Sequence, residues 1–426
     1  MMSREASRES RALNAQHAVT WAFGTVLVLR LLFPFFNSPL THLFSDPLRH
    51  WNNGMQFLHP DLMAGDDPFL YQAWLAALQW VGRSDAAINF GCAVLCVLMP
   101  YGWYRALREI LPKTWALGGA ALIGLWPSGF AIYAYFMNET LLLALLGVGF
   151  WATFRARRKR TLSAYALASL IWTCAAFTRT VAVPLALLAV GYLLLMQPSK
   201  LRGSLIALGL LALLLIPAAW HSRAGVGFVA PLGNLYLNEI YAESGKRDIN
   251  IDAGAAGSYV FSSPSFYNPA FYPFSNWVSD RSGAFDIHVN LARGSSDWRS
   301  ELKRAREQRS YPRWRQRWDD FLFLLFAQSW PDNDRNTVSG WLSLWNRWLW
   351  LPLVLTVAWG VLRGRFYGRE WLLPICGLGV FALLSLQSEG TMEGRFRKPL
   401  EPIFLAAAVV MLYRSRHREQ ALYYPV

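Results

Sequence analysis

The run Phe44-Ser45-Asp46-Pro47-Leu48-Arg49-His50-Trp51 gathers a carboxylate, a guanidinium, an imidazole and an indole in one short stretch. That set suits removal of a proton from a hydroxyl that lies beside a phosphate and a sugar. Asp46 would be the base, with Arg49 and His50 binding substrate. An Asp before a Pro is also a good helix start, with Asp46 as the cap and Pro47 in the first turn. The two roles are compatible, because a cap fixes its carboxylate in place.

Three further clusters carry chemistry. In Glu389-Gly390-Thr391-Met392-Glu393-Gly394-Arg395-Phe396-Arg397-Lys398-Pro399, three cations lie close together before the last apolar segment. Guanidinium groups grip phosphate with paired hydrogen bonds, so Arg395, Arg397 and Lys398 are candidate phosphate ligands. An extended backbone would turn Arg395 and Arg397 to one side. The competing reading pairs these cations with Glu389 and Glu393, and Glu393 is also a candidate substrate ligand. Asn138-Glu139 opens another apolar segment. There the helix dipole alone favours a carboxylate; the alternative is a second acid beside Asp46 that binds the acceptor or a divalent cation. Thr178-Arg179-Thr180 lies in a tight turn between two apolar segments, which makes Arg179 a further phosphate candidate. A lone arginine at such a place, or Arg30 late in the first segment, also suits snorkelling to lipid headgroups.

The elements that must position these residues are membrane spans. The chain is 54% hydrophobic and only 16% charged, where a soluble protein carries about 25% charged residues. Stretches of about 17–25 apolar residues are candidate spans. They fall at 18–36, 86–104, 114–130, 140–154, 162–178, 181–197, 204–220, 341–362, 371–387 and 400–413, about ten in all, with 114–130 broken at Pro127. The stretch 69–81 is amphipathic and reads as an interfacial helix. Without a signal-peptide cleavage pattern, the first segment is expected to stay as an anchor.

Orientation follows from the basic loops. With the N-terminus inside, the inner loops hold Arg105, Arg108 and Lys113, then Arg155 to Arg160, then Lys200 and Arg202, then Arg363, Arg365 and Arg369, then Arg414, Arg416 and Arg418. The net charge of +14 is thereby explained by lipid-facing loops and not by nucleic acid. The outer loop 127–139 has no basic residue. All four cysteines, Cys92, Cys96, Cys174 and Cys376, sit in apolar segments and read as small hydrophobes, not as metal ligands or disulfides.

Three parts result: 1–220, an N-terminal transmembrane bundle with the acidic first outer loop; 221–340, a loop-rich extracytoplasmic region; and 341–426, C-terminal spans with the cationic outer loop. From Asp297, the middle region becomes helical in pattern and changes from basic to apolar, as expected of a helix along the membrane surface. There is no GxxxxGK[ST], HExxH or GxSxG motif, so nucleotide-driven transport and common hydrolase chemistry lose support. The fold class expected is an all-α polytopic membrane protein.

In arrangement the chain resembles the GT-C superfamily of integral-membrane glycosyltransferases, nearest to bacterial relatives of the protein O-mannosyltransferases and lipid A aminoarabinose transferases. The resemblance rests on the order of Asp46, Glu139, Thr178-Arg179 and Gly394 to Pro399 along the apolar framework. It implies a sugar donor on a polyprenyl phosphate, used at the outer face of the plasma membrane, and a glycan, lipid or protein acceptor. It also implies the first-loop acid, here Asp46, as catalytic base. Many relatives have two adjacent acids there; here Ser45 and Pro47 flank Asp46, so a second acid must come from elsewhere. Rival readings are a glycan polymerase or ligase using polyprenyl diphosphate-linked glycans, a transporter of lipid-linked sugar, and a non-catalytic scaffold. A transporter predicts internal symmetry and midplane charges, whereas the suspect charges here collect at one face.

Overall fold

A computed structural model describes residues 2–56, 69–82, 84–179, 181–195, 249–252, 258–261, 287–290, 300, 307, 313–326, 338–386 and 394–417. The helices are α1 (Met2–Phe36), α2 (Ser45–Gln56), α3 (Phe69–Val81), α4 (Asp85–Arg108), α5 (Lys113–Leu125), α6 (Pro127–Ala131), α7 (Asn138–Lys159), α8 (Leu162–Thr178) and α9 (Ala182–Leu195). After them come α10 (Arg313–Phe326), α11 (Val338–Leu362), α12 (Leu372–Leu386) and α13 (Glu401–Arg416). The framework is helical, as its apolar segments require. The middle region, expected to be loop-rich, holds three short strands, β1 (Ile249–Asp252), β2 (Ser258–Phe261) and β3 (Ile287–Asn290). β1 pairs antiparallel with β2 and parallel with β3, in the order β2-β1-β3.

Among the described residues four helices are long and apolar enough to cross a membrane, or five if the bent pair α5–α6 is one span. Helices α8 and α9 are shorter and apolar. The expected segment 204–220 lies outside the described residues. The expected interfacial stretch is α3, which buries Tyr71, Leu75 and Ala76 and leaves Trp80 and Val81 exposed. Within the expected surface helix, α10 buries Leu324 and Leu325 and exposes Trp314 and Trp318.

Local chemistry explains the helix ends. Ser84 caps α4 by accepting from the Ala87 amide, with Asp85 in the first turn and Arg105 and Arg108 in the last. Helix α7 runs from Glu139 to Arg157, Arg158 and Lys159, and Arg160 ends it in the left-handed region at φ 56°. Helices α4 and α7 approach closely at Gly102 and Gly147. A Cβ on Gly147 would lie 2.6 Å from the Trp103 amide nitrogen, so only glycine fits.

The break between α5 and α6 organises the core. Pro127 starts α6, Trp126 before it is extended, and the chain bends by 68°. Ending α5 strands the Gly124 carbonyl, which has no amide one turn on. In α4, Pro100 has no N–H for the Cys96 carbonyl one turn earlier. Arg30 takes both: its Nε donates to Gly124 O at 2.7 Å and its Nη1 to Cys96 O at 3.2 Å. Its Nη2 donates to Gly129 O at 2.8 Å, and the guanidinium lies 5.0 Å from the Phe130 ring centre. Arg30 is fully buried, so the snorkelling expectation is overturned. Two prolines freed carbonyls in the bundle, and they hold the side chain inward.

We predict that Arg30→Leu leaves these carbonyls unsatisfied and lowers stability by about 3 kcal/mol. Thermal unfolding in detergent reads this, and an unchanged midpoint would show that the carbonyls find other partners.

Candidate functional site

The loop after α1 folds onto the start of α7. Helix α2 begins at Ser45, so Asp46 sits within the first turn rather than at the cap, and its carboxylate meets Arg49 at 3.1 Å. Both side chains keep partial exposure, 24% for Asp46 and 30% for Arg49, so the pair is reachable. His50 is buried and packs edge-on against Tyr71 of α3. The Gln79 amide of α3 donates to Trp51 O at 2.8 Å.

An extended piece, Tyr135 to Met137, is the seam between this loop and α7. His42 and Phe44 meet the Tyr135 ring edge-on, and Trp51 stacks on Phe136 with centres 4.6 Å apart. Tyr133 Oη donates to Thr140 O, which ties the α6 side to the first turn of α7. Under the seam, Tyr71, Trp74, Tyr133, Tyr135, Phe136 and Thr140 line a cavity of about 10 Å³, room for a single water.

Two residues beyond the seam, Glu139 is fully buried in the first turn of α7. It is ion-paired with Arg179, which ends α8. The N-terminal dipole of α7 favours the carboxylate, and the C-terminal dipole of α8 favours the guanidinium. Arg179 Nη1 also donates to Asn138 Oδ1 at 3.2 Å, and its guanidinium lies 5.0 Å from the Phe396 ring centre. The tight turn after α8 thus touches both the acid that opens α7 and the cationic turn before α13. Thr180 lies outside the described residues.

The cationic turn differs from its expected shape. Residues Gly394–Arg397 form a 3-10 turn, not an extended strand. The extended backbone whose alternation would have set Arg395 and Arg397 on one side is therefore absent. Arg397 is buried. Its Nε donates to Glu401 Oε1 at 3.2 Å, and its Nη1 donates to Leu324 O and Leu325 O of α10, each at 2.9 Å. Lys398 is buried as well. Glu389 and Glu393 lie outside the described residues; the carboxylate that Arg397 meets is Glu401.

Glu401 is the residue that sequence reasoning missed. It opens α13 with no solvent exposure and accepts hydrogen bonds from four elements. Trp126 Nε1 donates at 2.9 Å, Asn346 Nδ2 of α11 at 2.7 Å, and Ser128 Oγ and Arg397 Nε complete the set. The signal was Glu401-Pro402, the same acid–proline helix start as Asp46-Pro47. The described residues contain no group of three or more His, Cys, Asp or Glu that could hold a metal ion. Asp46 and Glu139, the two acids offered for a cation, each face an arginine instead. Cys92, Cys96 and Cys376 are buried free thiols, and Cys174 is a partly buried one.

The buried Glu139–Arg179 pair makes a testable prediction. Either Glu139→Gln or Arg179→Gln should lower unfolding stability by about 3–5 kcal/mol, because it strands a buried charge. The double variant should recover part of that loss in a thermal double-mutant cycle. Strictly additive losses would show that the two side chains are not coupled.

Residues 66–221, rather more than a third of the chain, match a family model described as Dolichyl-phosphate-mannose-protein mannosyltransferase. No curated protein matches the chain. The matched stretch holds α3 to α9, including Glu139 and Arg179, whereas Asp46 and the cationic turn lie outside it. The match implies a membrane glycosyltransferase that uses a lipid-linked sugar donor. Over that stretch the chain is similar to the GT-C-type dolichyl-phosphate-mannose-protein mannosyltransferase family.

Proposed function

We propose that the chain transfers a sugar from a polyprenyl-phosphate donor to an acceptor hydroxyl at the outer face of the plasma membrane, with inversion. The observation that carries this reading is the contact of Arg179 with both Glu139 and Phe396. It joins an acid, a turn and a cationic loop from distant parts of the sequence, at the end of the bundle where the acidic first loop also docks.

In this reading Asp46 accepts the proton of the acceptor hydroxyl. The oxygen attacks the anomeric carbon, and the bond from that carbon to the phosphate oxygen breaks. A second negative charge then builds on the leaving polyprenyl phosphate. Arg395, Lys398 and Arg179 stabilise it, as preorganised cations in a low-dielectric site do. Arg49 holds the Asp46 carboxylate. His50 and Glu393 bind sugar or acceptor hydroxyls. The phosphate is already part of the donor, so positioned cations can stabilise its developing charge directly.

The geometry sharpens two roles. Arg397 is engaged with Glu401 and two backbone carbonyls, so we assign it to hold the turn on which Arg395 and Lys398 stand. Glu139 is buried against Arg179, so we assign it to aim that guanidinium rather than to act as a second base. Asp46, which is partly exposed, remains the base. The acceptor is a hydroxyl of a glycan, a lipid or a protein, and the sugar a hexose or pentose.

Two predictions test this. Asp46→Asn keeps size and helix-start character but removes basicity; turnover should fall by about 10² or more while donor binding stays. A purified variant that transferred sugar at near the parent rate would remove Asp46 from the mechanism. Arg395→Ala should mainly weaken donor binding, and Arg395→Lys should restore it only in part, because an ammonium lacks the fork. Donor affinity unaltered in Arg395→Ala, measured with a polyprenyl-phosphate sugar, would sink the phosphate assignment.

A further inference from the structure

A carboxylate that opens a helix needs no special partner: the dipole favours it, and a proline after it suits the first turn. Glu401 at the head of α13 goes further than that. It is fully buried, and its two oxygens divide their bonds between distant elements. Oε2 accepts from Trp126 Nε1, at 2.9 Å, and from Ser128 Oγ, the residues on either side of Pro127 at the α5–α6 break. Oε1 accepts from Asn346 Nδ2 of α11, at 2.7 Å, and from Arg397 Nε of the cationic turn, at 3.2 Å.

This division requires a carboxylate. Each oxygen takes two donors, and a carboxylate can accept at both oxygens. A glutamine would offer one oxygen, and its amide N–H groups would face two donors whichever way it turned. The other side of Arg397 is fixed as well. Its Nη1 donates to the carbonyls of Leu324 and Leu325, which lie in the last turn of α10, where a helix leaves its carbonyls without an internal partner. Arg397 is therefore held between a carboxylate and a helix end. Its neighbour Phe396 meets the Arg179 guanidinium, 5.0 Å from the ring centre.

We propose that Glu401 is a positioning residue for the donor phosphate: through Arg397 it locks the turn that carries Arg395 and Lys398 to the α5–α6 break. The proposal rests on the reading in which those two cations meet the phosphate. The broken span then belongs to the scaffold of the site. Trp126 and Ser128 occupy Oε2, which leaves Oε1 for Asn346 and Arg397. A change on the Oε2 side therefore reaches the cationic turn without touching substrate. The helix dipole explains a carboxylate at this place; it does not explain why both oxygens are bonded to elements so far apart in the chain.

Two measurements on the full chain in detergent test this: hydrogen exchange of the backbone amides across 394–400, and affinity for a polyprenyl-phosphate sugar. Glu401→Gln should speed that exchange about tenfold and weaken donor affinity about tenfold. Ser128→Ala removes one hydroxyl from the Oε2 side and should change each about threefold. Thr153→Val is the control. It breaks the Trp172 bond between α7 and α8, and should lower the unfolding midpoint while exchange across 394–400 and donor affinity stay as in the parent. Added to Arg395→Ala, Glu401→Gln should weaken donor affinity much less than it does alone, because both act through one turn; simple destabilisation would add its full loss. Unchanged exchange in Glu401→Gln overturns the proposal, and so does unchanged donor affinity in that variant where Arg395→Ala weakens it. If Glu401→Gln does not fold, the same two outcomes in Ser128→Ala decide. Equal effects from Thr153→Val would mark general destabilisation and overturn it too. Faster exchange, with donor affinity unmoved by Arg395→Ala, supports the lock and overturns the phosphate reading instead.

Discussion

The break at Trp126-Pro127 is the constraint on which the rest of this structure depends. A span that stops and restarts within a membrane protein exposes backbone and side-chain polar groups where water cannot satisfy them. The chain meets that demand from two sides. Arg30 supplies donors to the carbonyls of Gly124 and Gly129, and Glu401 supplies acceptors to the Trp126 indole and the Ser128 hydroxyl. The charges are of opposite sign because the stranded groups are: carbonyls on one side, N–H and O–H on the other. Neither ion is exposed, so each holds a fixed geometry.

What the break positions is the candidate site. The bend sends the chain through α6 to Tyr135 and Phe136, the two rings on which the first loop docks. Glu401 fixes Arg397 and so the turn that carries Arg395, Phe396 and Lys398. One end of the bundle therefore has a rigid interior of paired and bonded charges. Over it lies a partly exposed acid, Asp46, on a short amphipathic helix. A base, the role proposed for Asp46, has to meet substrate, whereas the groups proposed to aim it and the phosphate ligands gain from burial, where their hydrogen bonds are stronger.

Much of the framework was legible in the sequence because an apolar span is a local signal. The stretch 162–178 coincides with Leu162–Thr178, 371–387 is close to Leu372–Leu386, and Pro127 breaks the third span where it stands in the chain. The Asp46–Arg49 pair was also local, three residues apart on one helix. The long-range partners were not legible. Glu401 meets Trp126 across 275 residues, and Arg30 meets Gly124 across 94; no periodicity encodes either. Arg30 could still have been read more closely. A proline inside α4 and another at the α5–α6 break each free a carbonyl, and a buried arginine is a natural answer to both. The turn at Gly394 misled because alternation of arginine around a phenylalanine suggests a strand. Here Arg397 instead needs the compact turn to reach Glu401 and the α10 carbonyls.

The two ends of the bundle use charge in different ways, and that difference gives the molecule a direction. Among the described residues at the end with Asp46, two ion pairs are buried in specific bonds: Glu139 with Arg179, and Arg397 with Glu401. At the other end cations are numerous and rest on aromatic faces, with Arg105 and Arg155 on Trp151, Arg363 on Trp359 and Arg416 on Trp115. A cation on an indole keeps one side in water or near headgroups and gains about 0.5–1 kcal/mol at an exposed site. Such contacts hold helix ends at a membrane surface without building a cleft. Buried ion pairs do the reverse: they add little net stability, but they fix orientation within the low-dielectric interior. Fixed orientation is what the proposed transfer needs, where charge would move from an attacking hydroxyl to a departing phosphate. The sequence therefore places aromatic-backed cations at one end of its helices and buried ion pairs at the other, the end to which the proposed transfer is assigned.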